Sequence, residues 1–265
     1  MKLSIITVNY NDVEGLERTI KSVISQTFKD YEYIVIDGGS TDGSVDVIKK
    51  YEEHIDYWVS EPDGGVYAGM NKGVARAHGT YCNFMNSGDC FYNELTLEDI
   101  FEKNIVEDIF VGDAVFYSDG TVTDPRPPRE ISLYHFYSCA LPHQASFIKT
   151  YLLLKYPYDE DLEIVSDWKF FIQAIIMDNC SFKYIDSIVA KYDNHGISST
   201  NQKKMKEEKE MVLSQLFPPR ILADYKYMKS SECLTQELTP QLRYCYRIDK
   251  LLYYLGAFLI RLFRK

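Results

Sequence analysis

The sequence predicts an α/β fold: a mostly parallel sheet with helices on both faces, followed by a helical C-terminal extension. Three observations predict it. The first half alternates strand-like and helical stretches in the order β-α-β-α-β-α-β, which lays strands side by side in parallel under covering helices. The strand-like runs are almost continuously apolar, as strands buried on both faces are. The chain has 265 residues, 46% hydrophobic and 26% charged, which suits a globular protein with a substantial core, as one large domain or two small ones.

"LSIITV" is the first strand, rich in β-branched residues. A helix is expected over Val13 to Gln26, with Leu16, Ile20, Val23 and Ile24 on one face. "YEYIVID" is the second strand, "GGSTDGS" a break, and "VDVIKKYEE" the second helix. "DYWVSE" is a third short strand, "PDGG" a turn, and Val66 to Ala77 a third helix. "TYCNFMN" is the fourth strand.

The second half is less regular. "DIFVGDAVFY" and "GTVTD" suggest a hairpin, "PRPPRE" a proline-rich exposed loop, and "PHQASFIK" another strand. "VSDWKFFIQAIIM" reads as a buried helix, "FKYIDSIVAKYD" as a strand or strand pair, and "NHGISSTNQKKMKEEKE" as a polar loop turning helical. There is no internal repeat and no clean linker. The expected organisation is one domain over 1–200, then a helical extension over 201–265.

In parallel sheets ligands bind at the carboxyl ends of the strands. Polar residues follow each of the first four: Asn9, Tyr10 and Asn11; Asp37; Glu61 and Asp63; and Asn86 to Asp89. Asn, Ser, Gly and Asp are also ordinary turn formers. Four such ends on one edge point to a site.

The net charge of −10 argues against a basic nucleic-acid-binding face. The six cysteines are scattered, without C-x-x-C, which suits a reducing compartment and excludes an obvious zinc cluster. "MKLSIITVNY" lacks a small-residue cleavage site and reads as a strand, not a signal peptide. "NYNDVEG" lacks the G-x-G-x-x-G of dinucleotide folds, and no P-loop occurs. A phosphate ligand in this acidic chain therefore calls for a divalent cation bridged by a carboxylate.

"SIITVNYN", "IVIDGGSTDGS", "GVYAGMNKGVARAHGTY" and "FMNSGDC", in that order and spacing, resemble the family 2 glycosyltransferases. These are inverting enzymes of GT-A fold, a Rossmann-like arrangement. The resemblance covers roughly residues 1 to 200 and is closest to bacterial members that build capsule, exopolysaccharide or lipopolysaccharide. It implies that 1–200 is a catalytic domain with a donor-binding half at 1–100 and an acceptor and catalytic half at 101–200. It implies transfer of a sugar from a nucleotide-diphospho-sugar, UDP being favoured over GDP or dTDP, to a glycan or lipid-linked acceptor.

Carried over by position, the resemblance places Val8, Asn9, Tyr10 and Asn11 against the nucleotide base. It makes Asp37 the acceptor of the uracil N–H, with Ser40 and Thr41 left to cap the next helix. It sets Asp63 and Asn71 near base and ribose. Lys72 would approach phosphate, against the plainer reading of a solvated lysine. "NSGD" stands where the family has an acidic D-x-D element. Asn86, Ser87 and Gly88 would line the donor, and Asp89, the one charge kept there, would hold Mg²⁺ or Mn²⁺. The lost acids leave open whether the ion is bound weakly or is optional. Asp167, in "IVSDWKFF", would be the catalytic base, against the reading of Ser166 or Asp167 as a helix cap, with Glu163 as second choice. His143 and Gln144 match a recurrent pair near acceptor or pyrophosphate, against a structural histidine. His195 precedes a loop that would close over the diphosphate.

From Arg243 onward the chain carries +5, leaving −15 on the rest. Leu251 to Ile260 is apolar but for Gly256, too short to span a bilayer. This tail, 243–265, fits an interfacial helix on an anionic leaflet, against a helix packed on protein. The expected location is cytoplasmic, peripheral on the inner face of the membrane. Two other functions fit less well. A sugar nucleotidyltransferase wants a glycine- and basic-rich first loop. A catalytically weak nucleotide-sugar-binding or scaffold protein would tolerate the loss of acids in "NSGD".

Overall fold

The computed structural model describes residues 1–117, 120–121, 130–192 and 201–230. The "PRPPRE" loop up to Arg129, His195 and the whole 243–265 tail lie outside the described residues. The chain forms two compact units, Met1–Val212 and Leu213–Lys265. In the second, the described part includes a helix over 219–230.

The first unit is built on one eight-stranded sheet in the order β3-β2-β1-β4-β7-β6-β8-β5. The strands are β1 (Leu3–Asn9), β2 (Tyr31–Asp37), β3 (Tyr57–Ser60), β4 (Tyr81–Phe84), β5 (Cys90–Phe91), β6 (Ile109–Phe116), β7 (Ser146–Lys149) and β8 (Phe182–Tyr192). The helices are α1 (Val13–Ile24), α2 (Ser44–Lys50), α3 (Val66–Val74), α4 (Thr96–Phe101), α5 (Leu133–Ser138), α6 (Thr150–Lys155), α7 (Ser166–Phe171) and α8 (Gln202–Leu216). Pairings among β3, β2, β1 and β4 are all parallel, as is β6 with β8; β7 runs antiparallel to both its neighbours, and β5 to β8. The parallel half is the one whose sequence alternates strand and helix.

Every residue of β1 is buried, so helices must cover both faces. Leu3 and Ile5 share a core with Leu16, Ile20 and Val23 of α1. Ile6 and Val8 point the other way, where α3 lies so close that a Cβ at Gly69 would come within 2.6 Å of Val8 Cγ1. Glycine at 69 is thus what lets α3 seat on the strand. Each fully buried Leu or Ile here contributes about 1.5–3 kcal/mol. α1 opens as its sequence suggests, with Asp12 Oδ1 accepting from the Gly15 amide at 3.0 Å.

The second half departs from its reading in one place. "FKYIDSIVAKYD" forms a single long strand, β8, one of its two readings, and its register against β6 shifts between Val111 and Ala114. The "VSDWKFFIQAIIM" helix begins as α7 and widens into a π-helical stretch at Ile172–Met177. Phe116 N–H donates to Thr121 O, which closes the turn after β6.

Candidate active site

β1, β2 and β3 are in register, with Asn9 beside Asp37 and Asp37 beside Ser60. One row of polar side chains therefore crosses the carboxyl edge of the sheet. Asn9 Nδ2 donates to Asp37 Oδ1 at 2.7 Å and Ser60 Oγ to Oδ2 at 2.6 Å. The Ser40 amide donates to Oδ2 at 2.9 Å and its hydroxyl to Oδ1 at 2.5 Å. Burial works against the charge on Asp37, but bonds from Ser40, Ser60 and Asn9 outweigh it and hold its pKa below the ordinary value.

Asp37 is 0% exposed, and four bonds fill the roughly four acceptor positions of a carboxylate. In this structure Asp37 braces the strand ends and the Ser40 turn, and a nucleobase would reach its carboxylate by displacing one of these donors. Ser40 likewise serves Asp37 rather than α2, and the cap position of α2 is Gly43. Asn11, at φ +50, locks the same turn: its amide donates to Ser40 Oγ and its Oδ1 accepts from the Thr41 amide. Asparagine tolerates this left-handed backbone better than most residues.

Tyr10 is 68% exposed at the mouth of this edge, with its ring close beside Gly38. Asp63 faces the same place. Its Oδ1 accepts from the Gly65 amide at 3.0 Å, while its buried Oδ2 has no hydrogen-bond partner among the described residues. Asn71 is spoken for at both ends of its amide, donating to Tyr158 O and Glu160 and accepting from Tyr158 N–H. Lys72 pairs with Glu61 at 3.0 Å, near the surface. Both side chains are engaged by protein partners in this structure.

"NSGD" is both a turn and a site. Gly88 has φ +93, a backbone that favours glycine. Thr19 of α1 pins the loop, donating to Asp89 O at 2.7 Å and accepting from the Gly88 amide at 3.1 Å. The Ser87 amide is tied to Val8 O at 3.0 Å. Asn86 Oδ1 is buried without a hydrogen-bond partner among the described residues.

Asp89 and Asp167 lie on either side of one imidazole. His143 Nε2 stands 4.0 Å from Asp89 Oδ2, and Nδ1 stands 3.5 Å from Asp167 Oδ2. Both carboxylates are 16% exposed. Burial opposes charge on His143, yet Asp167 and Asp89 together hold its pKa above the ordinary histidine value. Three elements supply the cluster. Asp89 comes from the loop after β4, His143 from a short helical turn over His143–Ala145 before β7, and Asp167 from the first turn of α7.

Sequence reasoning did not single out the residues that hold this cluster. Asn83 of β4, fully buried, donates to Gln144 O and Ser146 O, both at 3.0 Å, and fixes the turn carrying His143 and Gln144. Tyr67 of α3 donates to Asp167 Oδ1 at 3.0 Å and to Ile164 O at 2.7 Å. Burial first, then the Asp167 charge, pushes the Tyr67 pKa well up, so it stays a donor. Glu208 of α8 is 4% exposed and receives the amides of Glu163, Ile164 and Val165. A polar residue inside an apolar stretch is the signal they carry, visible at Asn83 in "TYCNF" and faint at Glu208 in a charged helix. Glu163 turns its side chain to Lys204 at 2.9 Å and is exposed, which leaves Asp167 as the carboxylate of the cluster.

Among the described residues no group of three or more His, Cys, Asp or Glu side chains is arranged to hold a metal ion by itself. Asp89 offers one carboxylate, and Asn86 Oδ1 and His143 Nε2 are buried polar atoms without hydrogen-bond partners among the described residues. Oxygen-rich sets with one or two carboxylates suit Mg²⁺ or Mn²⁺.

A family profile described as Glycosyl transferase family 2 matches residues 4–160. The chain is 36% identical over 207 residues to an uncharacterized glycosyltransferase of Mycobacterium tuberculosis, covering 74% of this chain and 77% of that one. It is 28% identical over 200 residues to a PGL/p-HBAD biosynthesis glycosyltransferase of Mycobacterium bovis, covering 73% and 77%. Among solved structures, a fragment of Staphylococcus aureus TarS in complex with UDP-GlcNAc superposes with a TM-score of 0.62 at 21% identity, covering 74% of this chain and 59% of that one. Mannosyltransferase PcManGT of Pyrobaculum calidifontis, in complex with GDP-Man and Mn²⁺, superposes with a TM-score of 0.60 at 15% identity, covering 81% and 63%. These two likenesses are of fold.

Proposed function

The chain belongs to glycosyl transferase family 2, and from that premise we propose that it moves a sugar from a UDP-sugar to a glycan or lipid-linked acceptor, inverting the anomeric centre, in surface-polysaccharide assembly. The observation that carries the reading is the Asp89–His143–Asp167 cluster at the carboxyl edge of the sheet. Its place on that edge is where an open α/β sheet takes its ligand.

The donor base lies against Tyr10. Asp63 Oδ2, buried and without a partner among the described residues, accepts the ring N–H in place of the sealed Asp37. Asn86 and Asp89 face the diphosphate. Asp89 and Asn86 are the residues that would hold a divalent cation, which would supply neutralisation of the charge on the departing nucleoside diphosphate. Asp167 takes the proton of the acceptor hydroxyl as that oxygen bonds to the anomeric carbon and the bond from that carbon to the diphosphate breaks. Tyr67 donates to Oδ1 of Asp167 and His143 Nδ1 stands 3.5 Å from Oδ2, so these two neighbours orient the carboxylate that receives the proton. Attack opposite the leaving group inverts the centre in one displacement. The enzyme works at the cytoplasmic face of the membrane, with 243–265 as its contact with the leaflet.

UDP release from UDP-sugars with water as acceptor tests the base without knowledge of the acceptor. Asp167→Asn is expected to lower turnover by about 10²–10⁴-fold while UDP binding stays near normal. Turnover kept in that variant would remove Asp167 from the role.

A further inference from the structure

We propose that His143 is itself a ligand of the divalent cation, with Nε2 supplying the donor that the "NSGD" loop lacks in carboxylates. The inference rests on the reading of Asp89 as the cation's carboxylate. Three observations carry it.

His143 Nε2 is buried and makes no hydrogen bond among the described residues. A buried ring nitrogen without a hydrogen bond costs about 1–3 kcal/mol, and the two carboxylates that flank the ring favour positive charge, a metal cation included, at Nε2. The group nearest to it in the cluster is Asp89 Oδ2 at 4.0 Å, too far for a hydrogen bond. Two donors at that separation are close enough to share one ion, since each sits about 2.0–2.2 Å from a small divalent metal.

The other nitrogen fits the same role. Nδ1 faces Asp167 Oδ2 at 3.5 Å. A histidine that binds metal through one nitrogen commonly gives its second N–H to a carboxylate, which fixes the tautomer and the ring. Nδ1–H toward Asp167 leaves Nε2 as the lone-pair nitrogen, aimed at the Asp89 side.

The ring is also held in place from outside the loop. Asn83 grips the backbone on the C-terminal side of His143 at Gln144 and Ser146, and Tyr67 holds the far oxygen of Asp167. A nitrogen donor moves the preference of the site away from Mg²⁺ and toward Mn²⁺ or heavier first-row ions. It also ties the cation to the base, because Asp167 orients the ring that binds the metal.

The test is pulsed EPR on the full chain loaded with Mn²⁺ and UDP, which detects nitrogen bonded to manganese directly. Wild type is expected to show a histidine nitrogen coupling. In His143→Gln the coupling disappears and Mn²⁺ affinity falls at least about tenfold, read from the free Mn²⁺ signal at fixed UDP. No nitrogen coupling in wild type overturns the proposal and needs no variant to do so. Coupling that persists in His143→Gln overturns it too. Both of these results leave Asp89 as a cation ligand standing. Failure of wild type to bind Mn²⁺ at all overturns this proposal together with the reading of Asp89.

Discussion

Glu208 holds the chain that leads into α7. Its carboxylate receives the amides of three successive residues, Glu163 to Val165, two residues short of the base. Removing it leaves buried amides unpaired, at about 1–3 kcal/mol for such a group. Glu208→Ala is expected to lose about 3 kcal/mol of stability and to lower kcat for UDP release more than it raises the donor KM. The donor edge is built from β1, β2 and β4, which Glu208 does not reach. Steady-state kinetics beside thermal melting checks this. A melting loss with kcat unchanged would contradict the positioning role. At this scale the sequence was readable where a residue is exposed by its pattern. Asp89 and Asp167 are charges at the ends of apolar runs. Asp37 shows the limit. A strand-end carboxylate has the same sequence signature whether it faces a ligand or receives Asn9, Ser40 and Ser60, and only register distinguishes the two. Tyr67 and Asn83 were missed because tyrosine and asparagine in buried elements read as core and turn.

Among the elements, the three strands of the distal half are tied together by one side chain. Asp108, just before β6, accepts from the Ser181 amide and hydroxyl, from Lys149 at the end of β7, and from Tyr151 of α6. Burial works against its charge, but Ser181 and Lys149 outweigh it and hold its pKa well below the carboxylate range. A depressed folded pKa means the contribution is full above the unfolded value, about 3.9, and fades as pH falls through the folded value. Asp108→Asn is therefore expected to lose about 1–2 kcal/mol at pH 7, the scale of hydrogen bonds to a partly solvated charge. Urea unfolding at pH 7 and pH 3 checks it: the gap between variant and wild type should narrow at pH 3, and an equal gap would contradict the account. Asp108 also explains why this half was harder to read. Continuous apolar runs separated by glycine turns identify β1 to β4, since each strand pairs in parallel with a neighbour from the same βα series. β6, β7 and β8 pair in mixed directions, and the β6–β8 register shifts near Asp113. Those pairings depend on contacts across dozens of residues, which local pattern does not encode.

For the molecule as a whole, the first compact unit runs to Val212 and includes Glu208. Among the described residues, no helix is long and apolar enough to cross a membrane. Cys82, Cys90, Cys139 and Cys180 form no disulfide among the described residues. The central claim concerns the edge where β1, β2 and β4 end: a nucleoside diphosphate lies there with its cation on Asp89 and its base on Tyr10. A crystal structure with UDP and Mn²⁺, with manganese located by its anomalous scattering, tests that claim most directly. The account predicts one manganese peak bonded to Asp89 and to diphosphate oxygens, with uracil against Tyr10 and its N–H on Asp63. Manganese away from Asp89, or uracil bound anywhere other than that edge, would contradict it.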